Sequence, residues 1–302
     1  MRFFRRHQRR GSYDLFSNYS HYLPGLGGMM MLFVMFFIGA LLGNILVMLL
    51  GLISAEFATI YGTVISYPVM FIPPLLYASS QSRRNEYFET GYALDSNHFG
   101  RLGGFRMAVI VSIATIATAF ITDGINAVIM PPAPEWFEAL MEQMMNGPIW
   151  VTLLSVSVFA PLFEEWLCRG IVLRGLLNHM RPTSAILVSA TFFAILHMNP
   201  WQALPAFVLG ILFGYVYYKT GSLKLTMLMH CVNNTMAVIF SQFPQLAEAE
   251  SFADLLSPLG YAGIMLACIS FTASACIILR NIPFTKEGSR SNCDEVKPFQ
   301  IN

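Results

Sequence analysis

Eight apolar runs decide what this chain can fold into. They fall at about 28–53, 57–78, 105–130, 149–175, 183–198, 201–219, 222–242 and 258–280. A bilayer's hydrocarbon core is about 30 Å thick and takes about 20 apolar residues of helix to cross. Apolar residues make up 55% of the 302 and charged residues only 12%, with a mean hydropathy of +0.57. A soluble domain carries about 25% charged residues, so this chain lacks the means to cover a water-facing surface. Inside lipid every backbone polar group must be satisfied within its own segment, which favours helices. The expected fold is an all-α polytopic membrane protein, a bundle of about eight transmembrane helices. The fifth run is short and the fourth reaches far into polar sequence.

Basic residues orient the bundle. The N-terminus, Met1-Arg2-Phe3-Phe4-Arg5-Arg6-His7-Gln8-Arg9-Arg10, is strongly basic and is expected to stay cytoplasmic. Loops on that side then hold Arg83, Arg84, Arg101 and Arg106, next Arg174 and Arg181, next Lys219 and Lys224, and the tail Arg280, Lys286, Arg290 and Lys297. The opposite loops, 131–147 and 242–257, carry Glu135, Glu138, Glu142, Glu248, Glu250 and Asp254 without a lysine or arginine. This pattern predicts an even number of spans with both termini cytoplasmic; the expected location is a bacterial cell (inner) membrane. The expected organisation is a basic segment at 1–27, N-terminal helices with an amphipathic outer segment at 28–147, a helical core at 148–242, a last span at 243–280 and a polar, disordered tail at 281–302.

Other readings are excluded or bland. The basic N-terminus abuts a span, so it reads as a topology signal or anionic-lipid contact, and no nucleic-acid partner is expected. The run after it exceeds the 7–15 residues of a signal-peptide core. Cys168, Cys231, Cys268, Cys276 and Cys293 show no CxxC spacing; four sit in apolar runs and read as small buried hydrophobes. Pro68, Pro73 and Pro74 are expected to kink or locally unwind the second span. Residues 134–146, with Trp136, Phe137, Leu140, Met141 and Met144 on one side, fit a short interfacial helix. Asp123 and Asn126 read as a helix-end contact.

Chemistry concentrates in three later runs. Charges at membrane depth are costly and functional by default, and Glu164-Glu165-Trp166-Leu167-Cys168-Arg169 lies in the fourth. Glu165 and Arg169, four apart, share a helix face and can pair. Glu164 diverges from Glu165 by about 100°, free to face a cavity. Phe193 and His197 are four apart on the fifth run, His230 and Asn234 on the seventh. Of six histidines in the chain, only His197 and His230 fall within runs.

These residues resemble the CPBP intramembrane endopeptidases, which include the type II CAAX prenyl proteases and the bacterial Abi proteins. Glu164, Glu165 and Arg169 match EExxxR, Phe193 and His197 match FxxxH, and His230 and Asn234 match HxxxN, in order and over about 153–239. The resemblance implies hydrolysis of a peptide bond in a membrane-associated substrate, lipidated or C-terminal in some relatives. It implies Glu164 as general base on a water, His197 as partner at that water, His230 and Asn234 as donors to the oxyanion, and Glu165–Arg169 as an ion-paired support.

No cofactor is expected, because the HExxH pattern of zincins is missing. The alternative is zinc held by Glu164, His197 and His230. Rival functions are a proton- or ion-coupled transporter, against which the lack of internal repeats counts, and a non-catalytic immunity or scaffold protein of the same fold. Partners are a peptide or protein substrate and the bilayer. Glu164 can meet His197 in depth only if the fourth helix continues past Arg174. The cavity is expected to open to the cytoplasmic side.

Overall fold

The computed structural model describes residues 17–87, 91–145, 147–243, 245, 249, 251–282 and 296–297. The basic stretch before Ser17 and Cys293 lie outside the described residues, as does most of the tail. Helices occupy all eight apolar runs: α1 (Leu26–Ile53), α2 (Ala55–Asn85), α3 (Gly103–Ile129), α5 (Ile149–Leu176), α6 (Pro182–Leu196), α7 (Pro200–Thr220), α8 (Leu223–Phe240) and α9 (Pro258–Arg280). The amphipathic segment forms α4 (Glu135–Met145). The fold is all-α and polytopic, as expected.

Of the helices on the eight apolar runs, seven are long and apolar enough to cross a membrane; α6 is the exception. Its 15 residues reach about 22 Å, short of the roughly 30 Å core. The fifth span therefore ends within the bundle, and His197 is its C-cap where a position inside the span was expected. The chain then reverses through Met198, whose φ of 54° is left-handed. Asn199 restarts the helix by accepting from the Gln202 amide at 2.8 Å, an N-cap followed by Pro200 at the first helical position. Pro68, Pro73 and Pro74 do not unwind α2, which is one continuous helix.

Packing follows the small residues. α1 and α2 lie against each other so closely that a Cβ on Gly39 would sit 2.0 Å from the Met70 carbonyl oxygen. Such approach is how membrane helices gain van der Waals contact where lipid supplies no hydrophobic drive. One buried cluster joins α1, α2, α5 and α6; a second joins α3, α7, α8 and α9.

The ends of the bundle differ. At one end Gly221, at φ 65°, closes α7 in the left-handed conformation that favours glycine. The loop after α2 docks there: Ser96 and His98 amides donate to the Gly221 and Thr220 carbonyls at 2.8 and 2.9 Å. Asp95 accepts from the Leu223 amide at 2.8 Å and pairs with Lys224 at 3.0 Å, capping α8. Strand β1 (Gly91–Tyr92) pairs in parallel with β2 (Val296–Lys297). The residues before α1 reach the same end, so the described stretches near both termini share one side and the number of chain passages is even.

Arg174 ties that end together. It was expected in a loop, but its side chain is fully buried. Its guanidinium donates to the carbonyls of Tyr19, Ser20, Tyr22 and Tyr92. Four convergent carbonyls offset the desolvation of a cation that would otherwise be prohibitive. Without it the four carbonyls lose charge-assisted hydrogen bonds, at about 1.5–3 kcal/mol apiece. Arg174→Leu should therefore lower the thermal unfolding temperature in detergent sharply. Arg174→Lys, with one compact ammonium in place of a fork, should restore only part of the loss. An unchanged melting curve for Arg174→Leu would show that these contacts do not hold the N-terminal segment.

Candidate active site

The two carboxylates sit on the helical turn Ala160–Glu165, between two π-helical stretches of α5, Leu153–Phe159 and Trp166–Leu173. Such widened turns recur at functional sites. α5 continues to Leu176, past Arg174, which brings Glu164 level with the histidines.

Arg169 and Glu165 are both fully buried and pair at 2.7 Å through Nη1 and Oε1. The other arm of the guanidinium, Nη2, donates to the Gly210 carbonyl at 3.1 Å. Its plane lies over the Phe193 ring at 4.5 Å and near the Phe213 ring at 5.4 Å, within cation–π range. One side chain thus joins α5, α6 and α7. Phe193, the first residue of FxxxH, is there to face this cation, and it also meets the His197 and His230 rings edge-on at 5.1 and 5.5 Å.

His230 bridges the carboxylates. Its Nδ1 lies 3.1 Å from Glu165 Oε1 and its Nε2 3.9 Å from Glu164 Oε2. A carboxylate only accepts, so Nδ1 carries the hydrogen and Nε2 of the neutral ring is bare. The same logic applies to His197, whose Nδ1 lies 3.0 Å from the Phe193 carbonyl. Both imidazoles thereby present Nε2 as their free nitrogen. Glu164 accepts from the Tyr67 hydroxyl through Oε1, while its buried Oε2 has no hydrogen-bond partner. Asn234 donates from Nδ2 to the Val156 carbonyl, within the first π stretch, at 2.8 Å. Asn233 donates to Asn234 Oδ1 at 3.1 Å and so fixes the amide's orientation, leaving one Nδ2 hydrogen uncommitted.

A cavity of about 420 Å³ is lined by Glu164, His197, His230 and Asn234, with Tyr67, Asn233, Phe193 and Phe213. The expected site residues thus converge, except that Glu165 and Arg169 stand behind its wall. Tyr67 and Asn233 escaped the sequence reading. Tyr67 lies 97 residues from Glu164 on α2, beyond any spacing signal; Asn233 could have been found only as the neighbour of Asn234. Asp123 and Asn126 do not line the cavity. Asp123 accepts from Ser251 Oγ and the Phe252 amide and caps the turn Phe252–Leu255.

The cavity does not lie toward the basic end. Its outer lining, Thr63, Met144, Met145, Trp201, Gln202 and Ala237, comes from the helix ends nearest α4. There Trp136 and Phe137 pack on Trp201, whose indole donates to the Pro131 carbonyl at 3.0 Å. α6 is so short that His197 falls deep in the bundle, and α4 lies over the space beyond it. Among the described residues no three His, Cys, Asp or Glu side chains are disposed to hold a metal ion together.

The ion pair predicts its own test. Glu165→Gln leaves the buried Arg169 without its carboxylate, and breaking such a pair costs about 3–5 kcal/mol. Melting in detergent should fall by several degrees, more than for Glu164→Gln; equal melting of the two variants would remove the pair's supporting role.

Residues 146–236 match the family model described as Rce1-like, type II CAAX prenyl endopeptidase. Over 97 residues, 30% of this chain, the sequence is 29% identical to the membrane-embedded CAAX protease MroQ of Staphylococcus aureus strain USA300. That match spans 39% of the relative's length. No solved structure matches the chain. The resemblance carried by the three motifs is the one these comparisons show, over the segment that builds the cavity wall.

Proposed function

We propose that this chain, whose residues 146–236 carry the Rce1-like signature, is an intramembrane endopeptidase that cleaves by glutamate-activated water. The observation that carries the reading is Oε2 of Glu164, buried without a hydrogen-bond partner beside a cavity that His197 and His230 also line. A water there can donate one hydrogen to Oε2 and the other to a histidine Nε2, which leaves its lone pair for a carbonyl carbon. Glu164 takes the proton as the water attacks and returns it to the departing amine, the general base and acid role of a positioned carboxylate. The uncommitted Asn234 N–H is suited to the oxyanion, in a cavity where a hydrogen bond counts for more than in water. His230 takes a different part from the expected one. With Nδ1 held by Glu165, its Nε2 is an acceptor at the water and becomes an oxyanion donor only when protonated. No step requires a metal.

Purified full-length protein in liposomes, offered a pool of quenched fluorescent peptides, tests this. Glu164→Gln keeps the volume and removes the base, and cleavage should fall by at least about 10²-fold, the lower scale of general-base contributions. A zinc chelator should leave the wild-type rate unchanged. Retained cleavage by Glu164→Gln would refute the base assignment; loss on chelation restored by zinc would refute the metal-free reading.

By the positive-inside rule the basic end is cytoplasmic, so we place the cavity mouth on the opposite side of a cell membrane. The substrate then presents its scissile bond from the outer half of the bilayer. A prenylated cytosolic C-terminus would approach from the wrong face. In a variant freed of native cysteines, Met144→Cys should react with a membrane-impermeant thiol reagent in intact cells and Arg84→Cys should not. The reverse labelling would turn the mouth to the cytoplasm.

A further inference from the structure

Glu164 has two oxygens, and only one can act. The carboxylate is not held by its own helix: its neighbours on α5 turn to Arg169 and to the core. What holds it comes from α2, outside the segment matched by the family model. The Tyr67 hydroxyl donates to Oε1, and Oε2 is left without a hydrogen-bond partner, with His230 Nε2 at 3.9 Å. Tyr67 is itself fixed. Its ring stacks on Phe71 at 5.8 Å and 30°, and Phe71 stacks on Phe163 at 5.2 Å and 15°. Phe163 immediately precedes Glu164, so the stack registers α2 against the same turn that carries the base.

We propose that Tyr67 is a positioning residue for the hydrolysis: by holding Oε1 it makes Oε2 the oxygen that takes the water's proton. In the step, a water O–H bond breaks and its proton passes to Oε2, while the water oxygen bonds to the scissile carbonyl carbon. Tyr67 keeps its own proton throughout. A carboxylate free to rotate would divide its time between orientations, and a reacting group misplaced by about 1 Å costs on the order of 10² in rate. The α1–α2 hairpin is on this account part of the catalytic apparatus. The inference rests on the glutamate-water reading above.

Tyr67→Phe removes the hydroxyl and keeps the stack. With the peptide that the wild type cleaves best, kcat should fall by on the order of 10²-fold, the positioning scale, with KM and melting temperature near wild type. Infrared difference spectra of Tyr67→Phe against wild type should show a shifted carboxylate stretch, absent when the same comparison is made in a Glu164→Gln background. An unchanged kcat, a change confined to KM, or no carboxylate shift would overturn the proposal. Failure of the underlying reading looks different: Glu164→Gln would then still cleave, whatever Tyr67→Phe does. A silent Tyr67→Phe beside a dead Glu164→Gln refutes the positioning role alone.

Discussion

The buried ion pair between Glu165 and Arg169 is the contact around which the rest of the core is arranged. A guanidinium in the middle of a membrane bundle is costly unless its charge and most of its donors are met. Here a carboxylate takes one arm, the Gly210 carbonyl takes the other, and Phe193 and Phe213 take its faces. These partners are spread over three helices, so meeting the needs of one side chain sets the relative position of α5, α6 and α7. The fourth helix enters through His230, whose Nδ1 uses the same Glu165 oxygen. A packed apolar core would specify these helices less sharply, since lipid-like surfaces slide and hydrogen bonds do not.

Fixing the frame in this way leaves the chemistry to what remains uncommitted. Glu165 spends its charge on Arg169, and Glu164, about 100° round the helix, is the carboxylate that reaches the cavity. Both histidines have Nδ1 occupied, by Glu165 and by the Phe193 carbonyl, and so share the tautomer that leaves Nε2 free. Asn234 is held at one hydrogen by Val156 and oriented by Asn233. Supporting groups thus determine which atoms face the cavity, and the proposed mechanism uses only those atoms.

Arg174 shows a second use of a buried cation, without chemistry. It meets backbone carbonyls of the segment before α1 and of β1. Counted as a loop charge it would be an orientation signal; buried, it is a clasp. The two roles are compatible because it lies at the end of the bundle where the other described basic side chains gather. The opposite end is covered by α4 and its aromatic contacts with Trp201, and the outer lining of the cavity comes from there.

The sequence by itself determined the helical class, the eight segments and the candidate residues. Run length against bilayer thickness is a local property, and residues four apart share a helix face without help from the rest of the chain. The pairing of Glu165 with Arg169 was legible for that reason. Tyr67 on Glu164, Phe213 and Gly210 on Arg169, and the burial of Arg174 were not, because each joins residues between 41 and 155 positions apart by contacts that exist only after the helices pack. The end of the bundle toward which the cavity lies was not legible from spacing alone. That outcome depends on α6 stopping within the bundle and α4 folding over the gap, and only tertiary packing decides where a helix ends relative to its neighbours.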